Sequence, residues 1–98
     1  MPHFHVVFTT QVFGGARHRV ENDLVRLPDT PSVGAVVAFP LRGGGEITGR
    51  VSSLRFGAGA DRVMVMLHNV NYEVRSERRR DHALWRRAGF VITALNDE

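Results

Sequence analysis

Residues 31–56 read PSVGAVVAFPLRGGGEITGRVSSLRF, and this stretch decides the fold. Pro31-Ser32-Val33-Gly34 is a rigid turn. Ala35-Val36-Val37-Ala38-Phe39 follows as a short apolar strand stopped by Pro40, which cannot donate to a ladder. Arg42-Gly43-Gly44-Gly45 turns the chain over, and Ile47-Thr48-Gly49-Arg50-Val51 returns as a second strand. The pattern predicts a β-hairpin in a small, mainly β domain that presents loops and a groove. Farther along, Ile47 and Val51 share a phase that Leu54 and Phe56 do not, which places a bulge at Ser52-Ser53.

On the N-terminal side, residues 3–13 alternate. Phe4, Val6, Phe8 and Val12 fall in one phase and His3, His5, Thr9 and Gln11 in the other, with Val7 an apolar intruder on the polar side. This is the pattern of a half-buried strand. Phe13-Gly14-Gly15-Ala16 is a turn. Residues 18–27 slip phase between Val20/Leu24 and Val25/Leu27, as in an edge strand with a bulge or a bend or, alternatively, a short helical turn. On the C-terminal side Gly57-Ala58-Gly59 reads as a loop, residues 62–68 as a strand, and 70–75 as either a strand extension or a loop. The period then changes. Asp81, Leu84, Trp85 and Ala88 recur at helical spacing, Ser76 offers an N-cap and Gly89 a C-terminal stop. Phe90–Leu95 is a last strand and Asn96-Asp97-Glu98 a polar tail.

The expected architecture for residues 1–98 is one α+β, mainly β domain. It is a small curled antiparallel sheet or barrel of about six strands, with one C-terminal helix before the last strand. Gly34, Val36, Val37, Gly49 and Val51 resemble the opening of SH3-like small barrels of the Tudor and KOW type, over about a quarter of the chain. That resemblance implies a small barrel; the long helix between the last two strands and the lack of a clustered aromatic cage depart from it.

Composition narrows the chemistry. With no cysteine, disulfides and thiolate metal sites are excluded. The first residues lack a basic region followed by an apolar one, and no apolar run reaches bilayer length, so a cytoplasmic protein without membrane contact is expected. All thirteen basic residues are arginine, as a GC-rich genome would produce. The net charge of +3 is unevenly spread: residues 75–87 carry +4 and the remainder −1.

The Gly43-Gly44-Gly45 run lacks a following Lys-Ser or Lys-Thr and leads into a strand, so it is a hairpin and not a phosphate loop. His3 and His5 leave one face of a strand at chelating distance but have no further ligands nearby, which predicts solvent-facing histidines and no metal. Ser32, Ser52, Ser53 and Ser76 sit in turns, a bulge or a cap, without a nucleophile elbow. No catalytic residues and no cofactor are expected. The candidate site is the helix, where Arg75, Arg78, Arg79 and Arg86 face a partner. That partner is a protein with an acidic surface or, alternatively, the phosphates of RNA or DNA. The other side of the helix puts Trp85 in the core. Met64, Met66, Val36 and Ala38 form a second apolar sheet face, to be covered either by the helix or by a second copy of the chain in a homodimer.

Overall fold

The computed structural model describes residues 3–56 and 62–95. The 57–59 loop and the 96–98 tail lie outside them. The elements are β1 (His3–Val12), β2 (Arg17–Arg26), β3 (Val36–Pro40), β4 (Glu46–Phe56), β5 (Arg62–Leu67), β6 (Val70–Tyr72), α1 (Arg75–Arg87) and β7 (Val91–Ala94). The domain is mainly β with one helix before the last strand, as the sequence predicts, but it has seven strands in place of about six.

The sheet runs in the order β3-β4-β5-β1-β2-β7 and is not closed into a barrel. It is also not purely antiparallel. β5 and β6 both lie along one edge of β1 and run parallel to it, His3–Val7 against Arg62–Met66 and Thr10–Val12 against Val70–Tyr72. The cause is topological. β2 takes one edge of β1 by hairpin, so the chain returns to the other edge only after β3 and β4, and β5, antiparallel to β4, then runs along β1. Strand direction depends on pairing between distant residues, which the alternation of a single strand does not encode. The break between β5 and β6 is sealed by a side chain: the Thr9 N–H donates to Asn69 Oδ1 (3.0 Å) where a ladder carbonyl would otherwise stand.

Both expected bulges are present. On β4 the register shifts between Val51 and Ser53, leaving Ser52 as the extra residue, and the Ser52 hydroxyl donates to the Met66 carbonyl (3.0 Å). On β2 the pairing passes from Phe4–Val25 to Val6–Asn22, so Asp23 and Leu24 bulge. Leu24 turns outward while Val25 stays buried. β2 is not an edge strand, however, because β7 pairs with its His18–Glu21 half.

Phe4, Val6, Phe8, Thr10 and Val12 of β1 all point to the buried face. There α1 lays Trp85 among Phe8 (ring centroids 4.8 Å), Phe39 (5.6 Å) and Phe90 (4.8 Å), in the tilted and edge-on arrangements aromatic quadrupoles favour. The helix ends in a Schellman motif. Gly89, at φ +94°, lets its N–H reach the Arg86 carbonyl and the Phe90 N–H reach that of Trp85 (both 3.0 Å), and the Phe90–Trp85 ring contact closes the turn. The N-terminus differs from expectation. α1 starts one residue before Ser76, with extended Val74 at the N-cap and no side-chain cap.

The glycine hairpin 41–45 is held by the helix. Gly43, Gly44 and Gly45 all have positive φ, a run only glycine adopts without strain. The Arg42 N–H donates to the Arg87 carbonyl (2.9 Å), and the Arg87 guanidinium donates back to the Arg42 carbonyl (Nε 3.2 Å, Nη2 3.0 Å).

The helix therefore covers the core face and leaves the opposite sheet face open. Val7 is buried there, paired with Met66 and Glu21, while Met64 and Met66 are half-buried and Val36 and Ala38 are exposed.

Candidate functional site

The expected arginines occupy one helix, in different settings. Arg75 and Arg79 are exposed in its N-terminal half, Arg86 is exposed near its end, and Arg78 is half-buried. None of the four forms an ion pair among the described residues. Of the helix carboxylates, Asp81 is engaged elsewhere: its Oδ2 accepts the Tyr72 hydroxyl (2.8 Å), and its Oδ1 stands 3.8 Å from the exposed Arg80. Glu77, in the first turn beside Arg78, is exposed and forms no ion pair among the described residues. Burial, followed by the hydrogen bond to Asp81, pushes the Tyr72 phenol well above its ordinary range. Tyr72 thus ties β6 to the first half of α1.

One residue at helical spacing from Arg78 and Arg86 is buried. His82 is 5% exposed, and its Nε2 is 2.8 Å from the hydroxyl of Thr10, itself fully buried on β1. The His18 ring, from β2, meets the His82 ring edge-on at 5.1 Å. The two histidines that look isolated in the sequence are brought together because β2 passes beside β1 and α1 crosses above. Desolvation, then His18, Arg78 and Arg86, lower the His82 pKa to about 4. Desolvation, then Arg78 and Arg86, lower that of His18. Two polar atoms here are covered and unpartnered, His18 Nδ1 and Arg78 Nε. The sequence signal for this cluster is weak: a histidine four residues from an arginine on either side.

Beside the N-terminal end of the helix stands a residue read only as part of a turn. Phe13 is 89% exposed, with its N–H donating to the Tyr72 carbonyl (2.9 Å). Its ring borders a depression shared with Asn71, Tyr72 and Glu73, and Arg75 borders another with Gly14, Gly15 and Ala16. A large apolar ring and an unpaired guanidinium thus flank one turn.

On the far side of β1, His5 is not a free chelating histidine. Its Nε2 is 3.0 Å from Glu21 Oε2, which also receives Arg19 Nε at 3.2 Å. His5 and Glu21 line a shallow cavity of ≈ 270 Å³ together with Asn22, Asp23, Gly89 and Val91. Among the described residues no group of three or more His, Cys, Asp or Glu side chains is placed to hold a metal ion, and no helix is long and apolar enough to cross a membrane.

Comparison of the chain with protein-family models, with curated proteins and with solved structures finds no match. The functional reading therefore rests on the residues themselves.

Proposed function

We propose that this chain is a non-enzymatic protein-interaction module that docks an acidic surface of a partner protein through α1, acting as a small regulator or inhibitor. The observation that carries the reading is the imbalance on the helix. Arg75, Arg78, Arg79 and Arg86 lack carboxylate partners among the described residues, while Trp85 and Arg87 fix the helix to the body of the domain. A guanidinium on a rigid element is pre-organised for bidentate contact with a carboxylate. Phe13 supports a protein partner, since exposed aromatic and arginine side chains together are the usual composition of energetic centres in interfaces.

The same exposed ring beside Arg75 favours a second reading, nucleic-acid binding, in which Phe13 stacks on a base and the arginines hold phosphates. One titration series separates the two. Polyglutamate and a single-stranded RNA are each titrated into the protein and into its Arg78→Glu/Arg79→Glu variant across a salt range. The protein reading expects saturable polyglutamate binding that the variant abolishes. RNA binding with a log–log salt slope of about −3, as four phosphate contacts to a single strand give, would transfer the site to nucleic acid. Absence of binding to either polyanion at low salt would remove both readings.

A further inference from the structure

The cluster around His82 carries more donors than acceptors. Arg78, His82 and Arg86 lie at i, i+4 and i+8, one stripe of α1, and His18 of β2 closes against that stripe with its ring 5.1 Å from the His82 ring. Beneath, the Thr10 hydroxyl takes the inner nitrogen of His82. The one carboxylate near His82, Asp81, is turned to the Tyr72 hydroxyl and to Arg80. Among the described residues neither Arg78 nor Arg86 forms an ion pair, although Glu77 stands next to Arg78 on the helix. Buried polar atoms in folded proteins are nearly always paired, whereas here His18 Nδ1 and Arg78 Nε have no partner among the described residues.

We propose that Arg78 and Arg86, astride His82 and beside His18, form a clamp for a single oxyanion, a carboxylate or a phosphoryl group. The clamp rests on the interaction reading above and gives it a centre: the point at which one acidic group of the partner is held between two guanidiniums. The spacing suits this. Eight residues of helix separate the two arginine backbones by about 12 Å, a gap within the combined reach of two extended arginine side chains. The anion meets the accessible side of the guanidinium groups. The covered atoms are not its ligands. The imidazoles supply a built-in reporter, because an anion seated beside them offsets the field of Arg78 and Arg86, which now disfavours their protonation.

The experiment follows the His18 and His82 ring signals by NMR while inorganic phosphate or succinate is added to the whole chain at constant ionic strength. The expected result is a saturable shift of the ring signals with a dissociation constant at or below about 10 mM, and a rise in the pH at which His18 titrates. Response to phosphate alone assigns a phosphoryl group, to succinate alone a carboxylate, and to both a general oxyanion clamp. Arg78→Gln and Arg86→Gln each weaken the response by about tenfold, the usual loss for one charge-assisted hydrogen bond, whereas Arg75→Gln leaves it within about twofold. Arg86 is exposed, so its variant keeps the fold even if that of half-buried Arg78 does not. No saturable shift with either anion, or an unaltered response in Arg86→Gln, would overturn the clamp. Polyglutamate binding that survives such a result would show that the helix reading stands without it.

Discussion

The two ends of α1 are held by different means. Its C-terminal half is fixed by Trp85 in an aromatic cluster, by a complete Schellman turn through Gly89, and by reciprocal hydrogen bonds between Arg87 and Arg42. Its N-terminal half starts at an uncapped valine, carries Arg75 and Arg79 into solvent, and is tied to the sheet by the Tyr72–Asp81 hydrogen bond. Between them His82 rests on Thr10. The difference shows how a small domain displays charge on a short helix: apolar burial at one end supplies the stability, leaving the side chains of the other end available. Short helices gain most of their stability from such packing and little from intrinsic propensity.

The strongest way to break this arrangement is to remove its fixed end. Trp85→Ala takes away the ring that touches Phe8, Phe39 and Phe90, and is expected to cost about 3–5 kcal/mol. That is a large share of the roughly 5–15 kcal/mol available to a domain of ordinary stability. Denaturant unfolding measured by tryptophan-independent circular dichroism checks it. A loss below about 1 kcal/mol would mean that the helix is held chiefly elsewhere.

The junction is tested next. Thr10→Val preserves the shape of the side chain but leaves His82 Nε2 buried without its partner, at an expected cost of about 1–3 kcal/mol. The same unfolding measurement serves, and its sign is informative. An unchanged or raised stability would show that water reaches His82 despite its burial.

Acid tests the junction without mutation. His82 is held neutral in the fold, with its pKa lowered to about 4 from the ordinary 6.5. The unfolded chain therefore takes up this proton first as the pH falls. The stability that depends on neutral His82 is fully present above about pH 6.5 and is lost progressively as pH drops from there toward 4, by up to about 3 kcal/mol. His18, shifted in the same direction, adds to the effect. Unfolding midpoints between pH 7 and 4 in wild type and in His82→Phe read the difference, and a parallel decline in both would detach the effect from His82.

Much of this molecule is legible along the chain because its signals are local. The 35–51 hairpin, the Ser52 bulge, the phase slip near Leu24, the amphipathic helix with Trp85 inward and Gly89 as its stop each depend on residues a few positions apart. What escaped the sequence depends on residues brought together from afar. β5 lies parallel to β1 because of the route taken by β3 and β4, and the 70–75 segment, open between strand and loop on its own, forms β6 at Val70–Tyr72 by pairing with Thr10–Val12. The arginines could be placed on the helix by period, but the burial of His82 follows from Thr10, seventy-two residues away in sequence. Val7, an exception to its strand's alternation, is buried on the open face of the sheet, where Met66 is its register partner.

The smallest expected effect bears on the loose end alone. Val74 occupies the N-cap with φ −131° and ψ 150°, the extended conformation that capping residues adopt, but its side chain has no oxygen to offer the first free N–H groups. The Ser76 hydroxyl lies inside the first turn, past the capping position. Val74→Ser supplies the missing acceptor without altering backbone geometry or the charge of the arginine face. It is expected to stabilise the domain by about 0.5–1 kcal/mol and to slow amide exchange through Arg79 more than beyond Trp85. Exchange slowed equally along the whole helix would mean that α1 opens as one unit, and the contrast between its two ends would then describe contacts without describing stability.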